Sequence, residues 1–316
     1  MSFTRRSSLA LMASIAIAPF AALAQQDYPN RPITLVIPYG AGGSTDTSAR
    51  QMATMAENIL GQSIVVENLP GASGTNAMRA VAAADPDGYT LIATTSSPSF
   101  VTPALRDVGY DTLADFIPIL NYSGPFHGVL VPADSPYRSL DELIEGAKSG
   151  TVTYGTAGAM GGAHLAFASV AKQTGAKLQH VPFDGAAKTK AAVLGGHVNV
   201  ALVPAYRDLV KDGQLRLLGV LDGTSDPDFP EAPTLKAAGL AAEFPSIVGI
   251  MAPDGTDPAI IAKLEAAFTE IASSDEFKAF MTDLSQPVRI MSGADLAKTI
   301  EENLSAYREI AKELGN

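Results

Sequence analysis

From Ile33 onward the apolar positions switch repeatedly between two rhythms. Short β-branched runs, ITLVIP, SIVVEN and YTLIATT, alternate with STDTSARQMATMAENIL and SGTNAMRAVAAA, in which apolar residues recur every three or four positions. The first rhythm predicts strands and the second predicts amphipathic helices, the first of them stopped by Gly61. Strands alternating with helices predict an α/β fold, a parallel sheet covered on both faces.

After DTLADFIPILNYSGPFHGVLVP the alternation restarts. Helix SLDELIEGAKSG, strand TVTYGT, helix GGAHLAFASVAKQTG, strand KLQHVPF, helix GAAKTKAAVLGG and strands VNVALVP and LRLLGVL make a second α/β unit. FPSIVGIMAP is a further apolar crossing, followed by helices near residues 258–272, 274–283 and 293–314 with PVRIMS between them. These last helices have no complete strand set of their own, which places them on the first unit. The expected organisation is a discontinuous lobe 1, residues 25–122 and 246–316, and a lobe 2, residues 123–245. A chain of 316 residues suits two lobes better than one core.

Residues 1–24 stand apart. Arg5 and Arg6 precede an apolar run from Leu9 to Leu23 that ends in Ala22-Leu23-Ala24, the pattern of a secretory signal cleaved before Gln25. The run is short for a membrane span, which needs about 20 apolar residues. The net charge of −11 becomes more negative once those two arginines are removed, so nucleic acid and anionic membranes are poor partners. With no cysteine there is no disulfide and no lipid-bearing thiol. The expectation is a periplasmic monomer that is not inserted in the membrane.

The candidate chemistry lies in glycine-rich turns between strand and helix. IPYGAGGSTDTSAR runs from Ile37 to Arg50, TYGTAGAMGGAHLA from Thr153 to Ala166, and PGASGTN is a third such entry. A helix start exposes unpaired amide N–H groups and about half a positive charge, so it attracts an anion without any basic side chain. Ser44, Thr45, Ser73, Thr75, Thr156 and the Ser96–Ser97 pair offer further donors. Two such turns on two lobes suit two ends of one acidic molecule, although any one of them alone reads better as a tight βα connection. Asp46 is expected to serve its own helix dipole, with its carboxylate turned from the cleft.

Other chemistries find less support. The four histidines have no paired metal-ligand spacing. His180 reads as a strand residue, His197 as a turn residue, His164 as either a ligand donor or a capping neighbour, and His127 as a residue near a crossing within reach of the cleft. Neither a P-loop lysine nor a G-x-S-x-G elbow is present. YGAGGSTD with Glu67 downstream keeps a secreted dinucleotide-type oxidoreductase as a rival, with Thr45 where the third glycine belongs. No cofactor and no metal are expected.

Taken as a set, YPNRPITLVIPYGAGGSTDTSAR, VVENLPGASG, ADPDGYTL, YGTAGAMGGAHLA, VPFDGAAKTKAAVLGGHVNVAL and LRLLGV resemble the Bug-type periplasmic solute receptors of tripartite tricarboxylate transporters. The resemblance covers essentially the whole mature chain. It implies a two-lobed Venus flytrap, type II-like, with two crossover segments and no catalytic activity. Such a receptor closes on a small carboxylate and hands it to inner-membrane permease subunits. The matched motifs nominate Tyr39, Gly40, Ala41, Gly42, Gly43 and Ser44 on one side, and Thr156, Ala157, Gly158, Gly162, Ala163 and His164 on the other. Ser73, Gly74, Thr75, Phe183 and Asp184 are implied to line the same cleft, and Ser97, Phe126 and His127 complete the candidate set. Two departures bear on the ligand. Asp184 stands where relatives carry a neutral or basic residue, and Pro204 and Ala205 replace an acid that relatives often carry. Loss of that acid argues against an amino acid and for a dicarboxylate or aromatic carboxylate. A carboxylate receptor serving a sensor kinase reads the same way.

Overall fold

The structure is a computed structural model that describes residues 28–240 and 244–314, so the expected signal sequence lies outside the described residues. In chain order the strands are β1 (Ile33–Ile37), β2 (Ile64–Asn68), β3 (Thr90–Thr95), β4 (Phe116–Ser123), β5 (Gly128–Pro132), β6 (Val152–Thr156), β7 (Leu178–Pro182), β8 (Val200–Val203), β9 (Leu215–Val220), β10 (Val248–Pro253) and β11 (Val288–Ser292). They form two sheets, β11-β4-β10-β3-β1-β2 and β7-β6-β8-β5-β9, one in each lobe.

The expected parallel pairing is only part of the arrangement. β1 is parallel to β2 and β3, and β6 is parallel to β7 and β8. In contrast, β10 runs antiparallel to β3 and β4, β11 to β4, and β5 to β8 and β9. Parallel neighbours come from local βαβ crossovers. β5 and β10 instead arrive from the other lobe, without such a crossover, and enter the sheet in the opposite sense. Each inserts at the same place, so β2-β1-β3-β10-β4 matches β7-β6-β8-β5-β9. The glycine turns after β1 and β6 are therefore equivalent points on one plan used twice.

Helices α1 (Ser44–Leu60), α2 (Thr75–Ala82), α3 (Thr102–Leu105), α4 (Leu140–Ser149), α5 (Gly162–Thr174), α6 (Ala186–Leu194), α7 (Arg207–Lys211), α8 (Pro258–Ser273), α9 (Asp275–Asp283) and α10 (Gly293–Leu314) cover the sheets. In β1, Ile33, Leu35 and Ile37 share one apolar cluster with Met52 and Ala56 of α1 and Leu264 and Phe268 of α8. Val36 belongs to the cluster that holds Met78 of α2 and Ile300 of α10. A strand buried on both faces gives a continuous apolar run, which is why ITLVIP shows little alternation.

The second cluster does not stop at the lobe boundary. It runs from Phe100 and Met251 in lobe 1, through Ile247 and Phe244 of the second crossing, to Tyr154 and Phe167 in lobe 2. Hydrogen bonds also join the lobes: the Gly40 amide donates to the Asp184 carbonyl at 3.0 Å, the Thr102 hydroxyl to the Met160 carbonyl at 3.0 Å, and the Ser73 hydroxyl to the Ala159 carbonyl. The lobes are closed on each other. Among the described residues no helix is long and apolar enough to cross a membrane.

Candidate ligand site between the lobes

A cavity of about 650 Å³, counting its open mouth, lies between the lobes. The β1–α1 turn contributes Tyr39, Gly43, Ser44 and Thr45, and the end of β3 contributes Thr95, Ser96 and Ser97. From lobe 2 come Thr156, Ala157, Gly158, Gly161, Ala163 and His164, with Ala186 and Pro204 beside them. Pro125, His127, Phe244, Ser246 and Ile247 of the crossings close the floor. Among the described residues no lysine, arginine, aspartate or glutamate lines it.

Positive potential comes instead from the backbone. Helices α1, α5 and α6 start at this cleft behind the N-cap glycines Gly43, Gly161 and Gly185, none with a side-chain cap. Three other helices carry a side-chain cap, whereas α2, α3 and α7 do not. Ser139 accepts from the Glu142 amide in α4, Asp257 from the Ala259 amide in α8, and Ser274 from the Phe277 amide in α9. The uncapped first turns leave amide donors for an incoming group. Ser44 and Thr45 line the cavity with hydroxyls that no group among the described residues engages.

Asp46 explains how an acidic residue can sit beside an anion site. Burial alone raises its carboxyl, but hydrogen bonds from Arg50, the Gly42 amide and Asn68 outweigh this and hold it below the ordinary carboxylate range. The distances are 2.9 Å from Arg50 Nε, 2.9 Å from Gly42 N and 2.8 Å from Asn68 Nδ2. Its charge is thus spent within the loop, and the second acid near the cleft, Asp184, pairs outward with Lys188.

The imidazoles are held neutral. His164 Nδ1 accepts the Met160 amide at 3.0 Å, so its proton sits on Nε2. Its ring stacks on His180 at 3.9 Å and 14°. Thr156 donates its hydroxyl hydrogen to the Gly158 carbonyl at 2.6 Å, so His180 Nε2, 2.7 Å away, must be the donor to Thr156. Burial lowers both rings, His180 to about 4 with help from the neighbouring His164. Burial also lowers His127 to about 4; the Pro125 backbone offsets this only in part and completes no hydrogen bond to Nδ1.

Of the residues nominated by sequence, Tyr39, Gly43, Ser44, Ser97, His127, Thr156, Ala157, Gly158, Ala163 and His164 meet at the cavity. Ser73, Gly74, Phe183 and Asp184 line an adjoining groove that shares Tyr39, Ala157 and Gly158. The others are placed differently. The Gly40 amide is used on Asp184 and the Gly42 amide on Asp46, while Ala41 is exposed. Thr75 donates to the Ala72 carbonyl, and the Gly162 amide donates to Ser97 Oγ at 3.3 Å. Phe126 packs with Leu130 and Val203 in lobe 2. Phe244, Ser246 and Ala186 are lining residues that were not nominated. FPSIVGIMAP was legible as a crossing, and a crossing has to pass the cleft floor.

Residues 48–316 match the family described as the tripartite tricarboxylate transporter family receptor. The chain belongs to this family. A Cupriavidus necator relative, described as the UPF0065 protein in the gbd 5′ region, is 37% identical over 98% of this chain and 96% of its own. The solved periplasmic binding protein BugD superposes with a TM-score of 0.84 at 27% identity, covering 91% of this chain and 99% of its own. MatC from Rhodopseudomonas palustris, solved with bound malate, gives 0.84 at 28% identity over 90% and 100%. This receptor is accordingly a periplasmic-type solute-binding protein and not an enzyme, which removes the oxidoreductase reading.

Proposed function

We propose that the receptor captures a small carboxylate, a dicarboxylate or aromatic carboxylate, in the interlobe cavity and delivers it to the permease subunits of a tripartite tricarboxylate-type transporter. It is exported by residues 1–24 and works in the periplasm as a monomer, with lobe 1 formed by residues 25–122 and 246–316 and lobe 2 by residues 123–245. The observation that carries this reading is the pairing of an uncharged cavity with three glycine-capped helix starts that lack side-chain caps. Each partly buried helix start contributes up to about 2 kcal/mol toward an anion. Hydrogen bonds to a charged group add about 1.5–3 kcal/mol apiece, which brings the roughly 8 kcal/mol of micromolar binding within reach. The malate-bound relative supports a diacid, and Pro204 at the cavity wall, in place of an acid, disfavours an amino group.

The test is a thermal-shift screen of mono-, di- and tricarboxylates, aromatic acids and amino acids, followed by calorimetry. Stabilisation by dicarboxylates or aromatic acids is expected. Tight binding of an amino acid, with none of any dicarboxylate or aromatic acid, overturns the assignment.

A further inference from the structure

The two imidazoles at the cavity are wired differently. His164 has its Nδ1 occupied by the Met160 amide and is left with a single Nε2 donor, which matches an acceptor-only carboxylate. His127 sits in the first crossing, between β4 and β5. Its backbone amide donates to Asp222 at 2.8 Å, and its ring meets Phe244 edge-on at 4.9 Å. Among the described residues neither ring nitrogen completes a hydrogen bond to protein, and Nδ1 is sealed from solvent. A neutral imidazole carries one donor and one acceptor, and the Pro125 backbone, an acceptor beside the ring, favours the proton on the sealed Nδ1 and leaves the open Nε2 as an acceptor. Native interiors rarely leave such a group unpaired, because its desolvation is then uncompensated.

A carboxylate offers only acceptors and a methylene offers neither. A hydroxyl also offers a donor, and so suits the open Nε2 acceptor. We infer that His127 is a specificity-determining residue that reads a hydroxyl on the carbon skeleton of the ligand, so that the receptor selects hydroxylated carboxylates over their deoxy analogues. Carboxylate ends go to the uncapped helix starts and to His164, and the hydroxyl goes to the floor of the cavity. This inference rests on the carboxylate reading of the site.

Calorimetry on the mature chain tests it with three acid pairs: L-malate and succinate, 2-hydroxyadipate and adipate, mandelate and phenylacetate. The wild type is expected to favour the hydroxylated member of at least one pair by about tenfold or more, since a site built to bond a hydroxyl strongly rejects its absence. His127→Leu is expected to bring that ratio to about one, and His127→Gln, which keeps a donor and an acceptor, to preserve part of it. If His127→Leu does not fold, the wild-type ratio and His127→Gln decide. Equal binding within every pair, or an unchanged ratio in His127→Leu, overturns the inference and leaves the carboxylate reading standing. Failure of all six acids to bind the folded wild type overturns both.

Discussion

Gly158 of lobe 2 lies so close to Ser73 of lobe 1 that a β-carbon on it would stand 2.6 Å from the Ser73 hydroxyl and 3.0 Å from its Cα. The glycine also has a φ of +111°, a conformation that side chains rarely adopt. Gly158 is thus where the lobes meet, beside the cavity. Gly158→Val is expected to keep the secondary structure while blocking closure. A strained backbone position costs about 1–3 kcal/mol, and the lost interlobe contact adds to it, so affinity should fall about 100-fold. Small-angle scattering should then show no ligand-induced contraction, and a variant that still binds and contracts would remove this contact from the closing mechanism.

Asp46 gives a prediction of stability. Asp46→Ala removes a buried carboxylate that accepts from Arg50, Asn68 and the Gly42 amide. The expected loss is about 1.5–3 kcal/mol near pH 7. Because the folded carboxyl is held low, its contribution is present above the unfolded value of roughly 3.9 and is lost as pH falls through the folded value. Thermal unfolding of wild type and variant should therefore converge in acid; a gap that persists unchanged at the lowest pH would contradict the assignment.

His180 works in a different window. Its folded pKa is about 4 against an ordinary 6.5, so the unfolded chain takes up the proton first as pH drops. Stability from keeping the ring neutral is whole above pH 6.5 and drains away between 6.5 and 4. His180→Gln should flatten the pH dependence of the melting temperature across that interval. An identical slope in both proteins would show that the stacked pair does not titrate as described.

Salt separates backbone recognition from recognition by ion pairs. With no charged side chain at the cavity wall among the described residues, binding of the best acid should change by less than about threefold on going to 1 M salt, where the screening length is about 3 Å. Isothermal titration across that series checks it, and a steep loss of affinity would point to a cationic partner for the ligand.

Much of this was legible in the chain because it is locally encoded. β-branched runs and three-to-four spacing place the elements, and the glycines of the β1–α1 and β6–α5 turns mark helix starts that no side chain caps. His180 was read only as a strand residue, since its stacking on His164 joins β7 to the start of α5. Gly42 was read as a ligand donor, since nothing in the motif says that Asp46 turns back to occupy its amide.

By itself the sequence determined the two α/β units, the apolar crossings and the uncharged chemistry of the turns, because periodicity and φ preference act within a few residues. Only the tertiary structure decided that β5 and β10 insert antiparallel, that Phe244 fills the space a side chain at Gly162 would need, and that Gly158 abuts Ser73. Those relations bring together distant segments of chain, and packing between whole elements, which no local preference records, selects them.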